Sequence, residues 1–220
     1  MSASELLRDC DTLMLDMDGT LLDLAFDNFM WLQHIPLEYA RKHGLEHEVA
    51  TQQLHATFRS LQGQLAWYCL DHWSERLDLD VLALHRAERA RIGWLPGAME
   101  FLQSVQQSGP RVLMVTNSHP DTLAVKSEVT GIEKYFAGVY TSHQFGYPKE
   151  DQRFWQALAA AEGFDPQRTM FVDDTETVLA SAREYGVKHV VRITRPDTSA
   201  AVRDGGAYVS VEGVAELLPA

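Results

Sequence analysis

Cysteine is scarce in this chain: Cys10 and Cys69 are its two thiols among 220 residues. Two cysteines without CxxC spacing set up neither a disulfide framework nor a cysteine-built zinc site. Long apolar runs are also missing. No stretch of about 18 apolar residues is present to span a membrane as a helix. Nothing near Met1 reads as a secretory signal, because the apolar run that starts at Thr12 is interrupted at Asp16 and Asp18. Positive charge is short as well, with 19 Lys plus Arg against 31 Asp plus Glu, a formal net charge of −12. An acidic chain with no Lys/Arg cluster lacks the footprint of a nucleic-acid binder and is repelled by anionic membranes. The expectation is a cytoplasmic protein with neither nucleic acid nor membrane as partner, its oligomeric state left open. Glycine-rich loops of the kind that cradle phosphates in P-loop and dinucleotide enzymes are absent too. What remains is ordinary for a folded protein: 45% hydrophobic and 23% charged residues, in a length that suits one α/β domain or a core with a small insert.

Short apolar runs alternate with helical patterns along most of the chain. Strands are expected at residues 12–16, 111–116, 138–142, 169–173 and 188–192, with a sixth at 207–210. Helices are expected at 120–130, 150–163 and 175–186, with Gly131, Gly163 and Gly186 at their C-terminal caps. Strands that are apolar throughout and alternate with helices argue for a parallel sheet covered on both faces. Residues 23–95 break the alternation. Leu54, Phe58, Leu61 and Leu65 fall at helical spacing, as do the pairs Phe26/Met30 and Leu77/Val81. This segment reads as a helical cap inserted into a core of residues 1–22 and 96–220, with Pro96 starting the next helix on return.

The polar residues at the strand ends carry the chemistry. Residues two apart in an extended chain face the same way, so Asp16 and Asp18 point into one space at the carboxyl end of the first strand, where open α/β sheets place ligands. Gly19 permits the sharp turn that follows. Two carboxylates so close call for a cation or a shared proton, and aspartate oxygens with waters suit Mg²⁺. Thr116 and Asn117 end the second strand ahead of a helix, as an anion site or a helix cap would. Lys149 opens a helix, where the helix dipole disfavours a cation, which favours a functional reading over a solvated lysine. Asp173 and Asp174 end the fourth strand, and both serving as caps would be redundant.

In this order, Asp16-x-Asp18-Gly-Thr, Thr116-Asn117, Lys149 and Asp173-Asp174 resemble the four motifs of the haloacid dehalogenase superfamily. A response-regulator receiver also uses acids, Thr and Lys, but its lysine comes last and it has no helical insert. The resemblance implies an α/β fold, a Rossmann-like doubly wound parallel sheet with an inserted all-helical cap. It also implies roles. Asp16 is the nucleophile, and Asp18 the general acid and base. Lys149, Thr116 and Asn117 hold the phosphoryl group. Asp16, Asp18 (through its carbonyl) and Asp173 hold Mg²⁺, with Asp174 ordering a metal-bound water. Where many relatives carry a further carboxylate, this chain has Thr177. The acid at Asp18 favours phosphoryl transfer over carbon–halogen cleavage. Residues 22–28, 67–73 and 145–153 look like those of bacterial purine nucleotidases acting on GMP and IMP. The implied activity is a Mg²⁺-dependent phosphomonoesterase, and the implied partner a small phosphate ester. The alternatives are a sugar-phosphate or phosphoglycolate phosphatase and, in a different class, an idle phosphate-binding regulator. Most of the cap's rings, among Phe26, Phe29, Trp31, Trp67, Tyr68 and Trp73, are expected to fill its own core. The segment Trp67 to Trp73 is the first choice for contact with a base, through Trp67, Tyr68 and Trp73.

Overall fold

A computed structural model describes residues 3–218. Six strands form one fully parallel sheet: β1 (Thr12–Leu15), β2 (Arg111–Thr116), β3 (Gly138–Thr141), β4 (Thr169–Asp173), β5 (His189–Ile193) and β6 (Val209–Val211). Their order is β3-β2-β1-β4-β5-β6. The strand order reverses direction at β1, between β2 and β4, and a crevice at such a switch point is where open α/β sheets bind ligands.

Along the central strands β1, β2 and β4 both faces of the sheet are buried, which is why these runs are apolar up to their ends. Leu13 and Leu15 join one cluster, with Val112, Met114, Met170 and Val172, under the helices Ala98–Ser108 and Pro120–Thr130. Met14 faces the other way, into a cluster with Leu113, Val115 and Phe171 under the helices Gln152–Glu162 and Glu176–Tyr185. The expected C-cap glycines hold: Gly131, Gly163 and Gly186 all have positive φ, the left-handed geometry that terminates a helix without a Cβ penalty.

Between β1 and β2 the chain adds no strand. It runs through the helices Ala25–Phe29, Ile35–His43, His47–Leu61, Leu65–Tyr68, Leu70–Leu77 and Val81–Ala87, with one π turn at Met30–His34. The two passes that lead in and out of this segment lie side by side, joined by Asp23 N–H to Gly93 O at 2.9 Å and Leu95 N–H to Leu21 O at 2.9 Å. Phe26, Met30, Phe58 and Trp73 belong to the same cluster as Leu13 and Leu15, so the segment's core is continuous with one face of the sheet.

Three local expectations are corrected. Leu77 and Val81 do not share a helix, because Asp78 takes φ 52° and breaks the run between them. Leu61 and Leu65 are likewise separated by a turn at Gly63, φ 77°. Trp73 contacts no substrate space. It is fully buried, its indole N–H donates to the Trp67 carbonyl at 2.8 Å, and its ring packs edge-on against Phe58 at 4.9 Å and near Trp31 at 5.7 Å. An additional helix, Ala3–Arg8, went unread because its few apolar residues, Leu6 and Leu7, are too short a run to show periodicity.

Trp73 therefore belongs to the helical segment's own core. Truncating a fully buried aromatic removes transfer energy and leaves a cavity, so Trp73→Ala should cost about 3–5 kcal/mol. Urea denaturation checks this, and a midpoint equal to that of the parent chain would contradict the placement.

Candidate active site

Each strand ending at the switch point delivers a polar side chain to one place. Asp16 directly follows β1, and its backbone N–H still bonds to Val172 O at 3.0 Å, so its carboxylate is held by the ladder itself. Asp173 ends β4, with Oδ1 accepting the Thr175 N–H at 2.8 Å. Lys149, only 2% exposed, reaches between them. Its ammonium donates to Asp16 Oδ1 at 2.5 Å, Asp173 Oδ2 at 2.7 Å and Val115 O at 3.1 Å. All three of its hydrogens are thus used, and this explains how a lysine is tolerated at so buried a position.

Thr116 and Asn117 stand at the end of β2. Thr116 Oγ1 accepts the Ser118 N–H at 3.0 Å, leaving its own hydrogen to donate. Asn117 Oδ1 accepts the Lys149 N–H at 2.8 Å, and its Nδ2 donates to Glu150 Oε2 at 3.0 Å. The other Glu150 oxygen accepts the Tyr68 hydroxyl at 2.7 Å, so one carboxylate joins the helical segment to the loop that carries Lys149. Burial, reinforced by Glu150, pushes the Tyr68 phenol well above its usual range, so it stays a donor.

Asp18 lies apart from this cluster, on a second buried cation. Lys126 Nζ donates to Asp18 Oδ1 at 2.6 Å and to both oxygens of Asp27 at 2.8 Å. Lys126 is 1% exposed. Burial opposes its charge, but Asp18 and Asp27 together outweigh burial and raise its pKa. Burial pushes Asp18 up to about 6, with Lys126 opposing and Asp27 reinforcing the shift. Between Asp18 and the helix it precedes, Gly19 turns the chain at φ 77°. A Cβ there would come within 2.9 Å of Pro196 and 3.0 Å of Asp174, so a side chain is doubly disfavoured.

The carboxylates of Asp16, Asp173 and Asp174 offer oxygens within 4.8 Å of one another, and all three residues are buried. Burial, opposed by Lys149, drives Asp16 well above the usual carboxylate range and Asp173 up to about 6. Asp174 is raised by burial against the pull of Arg203, which donates to its Oδ2 at 2.8 Å. Three buried acids that resist simultaneous ionisation, all offering hard oxygen atoms, fit a small divalent cation such as Mg²⁺.

These groups line a cavity of about 330 Å³. Asp16, Asp18, Thr116, Asn117, Lys149, Asp173 and Asp174 are brought together on it, as their places at the strand ends predict. On the opposite side Trp67 and Tyr68 face it, joined by Trp31 and Leu32 from the π turn, while Trp73 does not. A π turn re-aims side chains within a helix, and here it presents Trp31 to the cavity. Lys126, Asp27, Glu150 and Arg203 were not anticipated. The one sequence signal for Lys126 is that it follows Leu123 by three positions, on a helix flank whose other residues, Leu123 and Val125, are buried.

The chain matches the haloacid dehalogenase-like hydrolase family over residues 10–186. It is 39% identical over 212 residues to the GMP/IMP nucleotidase YrfG of Escherichia coli, covering 96% of each chain. It is 26% identical over 183 residues to the phosphoglycolate phosphatase of Agrobacterium fabrum, covering 80% of this chain and 77% of the relative. Among solved structures, a HAD phosphatase from Thermococcus onnurineus superposes with a TM-score of 0.76 at 19% identity, over 94% of this chain and 95% of that one.

Removing the second buried cation isolates its contribution. Lys126→Met leaves Asp18 and Asp27 facing each other without compensation and should destabilise the protein by about 3–5 kcal/mol. Adding Asp27→Asn should return part of that loss. The cycle is read by urea denaturation, and equal stabilities of the single and double variants would mean that the two carboxylates do not interact.

Proposed function

The chain belongs to the haloacid dehalogenase-like hydrolase family and is a phosphoric monoester hydrolase, and we propose that its substrates are purine 5′-mononucleotides, GMP and IMP. The observation that carries the chemical part is Lys149, fixed between Asp16 and Asp173 at the edge of a cavity that Thr116 and Asn117 also line. In this reading Lys149 engages Asp16 Oδ1, so Oδ2 is the oxygen that attacks phosphorus. The bond to the ester oxygen breaks, leaving an aspartyl-phosphate that water then hydrolyses, which splits one difficult step into two easier ones. Thr116 Oγ1 and the backbone N–H of Asn117 bind phosphoryl oxygens. Asp18 gives its proton to the leaving alcohol and then takes one from the attacking water, the kind of assistance that contributes roughly 10²–10⁴-fold. Its raised pKa suits both halves of that task. Lys126 holds Asp18 in place, which makes it a positioning residue.

Asp16, Asp173 and the backbone carbonyl of Asp18 would hold Mg²⁺, with Asp174 set to order a bound water. When present, the ion neutralises charge on the phosphoryl oxygens and on the attacking carboxylate. A solved relative from Bacillus subtilis, the putative HAD-hydrolase YfnB, is described as bound to magnesium.

The helices of residues 23–95 act as a cap in this reading, supplying binding and water exclusion while the reacting groups stay on the core. Trp31 and Trp67 line the cavity with ring centroids 5.7 Å apart and planes tilted by 40°, and in this reading a purine base stacks on them, each stack being worth about 1–3 kcal/mol. A small substrate such as phosphoglycolate leaves such rings unused, which is why the nucleotide reading is preferred. Among the described residues no helix is long and apolar enough to cross a membrane, and we place the enzyme in the cytoplasm, where mononucleotides are made and consumed.

The deciding experiment is a panel of phosphate esters with release of free phosphate as readout. GMP and IMP should lead it, and a panel led by phosphoglycolate or a sugar phosphate would overturn the substrate assignment. Asp16→Asn should abolish turnover while the thermal midpoint changes little, since the amide is nearly isosteric; wild-type turnover would remove Asp16 as nucleophile. Chelation should silence the enzyme and Mg²⁺ restore it, and full activity with no metal detectable by elemental analysis would contradict the metal requirement. Trp67→Ala should raise the KM for GMP by about tenfold, with hydrolysis of a small generic phosphate ester nearly unchanged. An equal loss on both substrates would assign the ring to closure instead of base recognition.

A further inference from the structure

Beside the catalytic cavity the fold gathers three side chains that the phosphatase chemistry does not use. Cys69 lies between the helices Leu65–Tyr68 and Leu70–Leu77, His119 follows β2, and His143 sits on the short helix Ser142–Phe145 after β3. Each offers a ligand atom within 4.8 Å of the other two. The two imidazoles meet edge-to-face at 4.7 Å between centroids. The three come from separate parts of the sequence, and one of them comes from the helical insert, so no CxxC-type spacing announces them.

The hydrogen bonds around His143 fix its tautomer. Ser142 has one hydroxyl hydrogen, and it goes to the Asn117 carbonyl at 3.0 Å, an atom that can only accept. The contact of 3.3 Å between Ser142 Oγ and His143 Nδ1 must then run from Nδ1–H to Oγ. Nε2 of the neutral ring is therefore a bare lone pair. That atom is buried and has no hydrogen-bond partner. A buried lone pair left unpaired is costly, and its neighbours are a thiol and a second imidazole.

Acidic groups complete the surroundings. Asp71 Oδ2 lies 4.0 Å from His119 Nε2, and Asp121 Oδ2 lies 3.7 Å from His119 Nδ1. Both lie near His119 alone, and the far nitrogen of that ring is held by the Asp121 backbone N–H, which donates to Nδ1 at 3.3 Å. One thiolate and two imidazoles form a donor set for a borderline-soft, tetrahedral cation, with water in the fourth position, and not for Mg²⁺. Bond lengths of about 2.0–2.3 Å place tetrahedral ligand atoms roughly 3.5 Å apart, so the side chains draw closer on binding than their spacing of up to 4.8 Å.

We propose that Cys69, His119 and His143 form a second metal site, for Zn²⁺ or a cation of like character, that fastens the helical insert to the core beside Tyr68. Binding breaks the Cys69 S–H bond and releases its proton to solvent. At His119, Nδ1 accepts the Asp121 backbone N–H at 3.3 Å, so the ring hydrogen sits on Nε2; for Nε2 to ligate, that hydrogen moves to Nδ1 and the capping bond is given up. His143 binds through Nε2 with no proton change. The site is independent of which phosphate ester the enzyme hydrolyses.

The test uses the full-length protein stripped of metal and then held in excess Mg²⁺, so that the aspartate cluster is occupied by a hard cation. Zn²⁺ should bind at one ion per chain with release of one proton and should raise the thermal midpoint. Co²⁺ in its place should give a near-ultraviolet thiolate-to-metal absorption band and the visible spectrum of a tetrahedral site. Cys69→Ser should abolish the thiolate band, and both Cys69→Ser and His143→Ala should weaken Zn²⁺ binding roughly 100-fold while retaining Mg²⁺-dependent turnover. Co²⁺ bound without a thiolate band, or Zn²⁺ bound equally well by both variants, would place the ion elsewhere and overturn the proposal, as would failure to retain Zn²⁺ at all. The band is read on the unaltered chain, so a variant that fails to fold leaves the test standing.

Discussion

The arrangement at the end of β1 depends on one ammonium group. Lys149 satisfies Asp16, Asp173 and the Val115 carbonyl at once, so a single buried cation holds three adjacent strand ends, those of β1, β2 and β4. Remove it and two buried carboxylates would oppose each other with nothing between them, a situation that costs several kcal/mol. The loop that carries Lys149 is in turn pinned from behind. Trp155 donates its indole N–H to the Lys149 carbonyl at 2.8 Å, and Asn117 accepts the Lys149 N–H. The lysine is thus held by its backbone on both sides, which keeps its charge between Asp16 and Asp173 without further reorganisation.

The same device recurs where the helical insert meets the core. Lys126, on a core helix, binds Asp18 from the loop after β1 and Asp27 from the first helix of the insert. Glu150, next to Lys149, receives both Asn117 of the core and Tyr68 of the insert. These two bridges make the position of the insert and the geometry of the polar cluster one problem. A shift of the insert away from the core would strand the Asp27 charge and the Tyr68 hydroxyl, so the docked arrangement is favoured by polar satisfaction as well as by the apolar cluster that runs through Phe26, Met30 and Trp73.

This also explains what the sequence revealed. Asp16, Thr116 and Asp173 were legible because parallel strands converge at their carboxyl ends whatever the rest of the fold does, and a polar residue ending an apolar run stands out. Lys149 stands out in the sequence as a cation opening a helix, but it lies in the turn ahead of the helix Gln152–Glu162, whose N-cap is Asp151, so the dipole argument does not apply to it and its burial between two acids is what marks it. Lys126 and Asp27 carry no comparable mark, since their meaning lies in a contact 99 residues apart along the chain. Trp73 was misread for a related reason. Trp67–Trp73 mixes aromatic and polar residues without a clear period, and the segment is two short helices broken at Cys69, so residue spacing did not show which ring turns inward. The break that spoiled the periodicity is the one that sets Cys69 facing His119 and His143.

Five aspartates line the cavity: Asp16, Asp18, Asp27, Asp173 and Asp174. Three cations bind them, Lys149, Lys126 and Arg203. Fully ionised, the group carries an excess of two negative charges, which one divalent ion balances. The raised pKa values of Asp16, Asp18 and Asp173 express the same imbalance in another form, because protonation is the other way to relieve it. In a chain with a net charge of −12 the charges at this cavity are then matched locally, and the acidic surface beyond is screened within about a Debye length. Burial makes this local matching strict, since in a low-dielectric pocket an unmatched carboxylate would repel a phosphate far more strongly than any surface acid does.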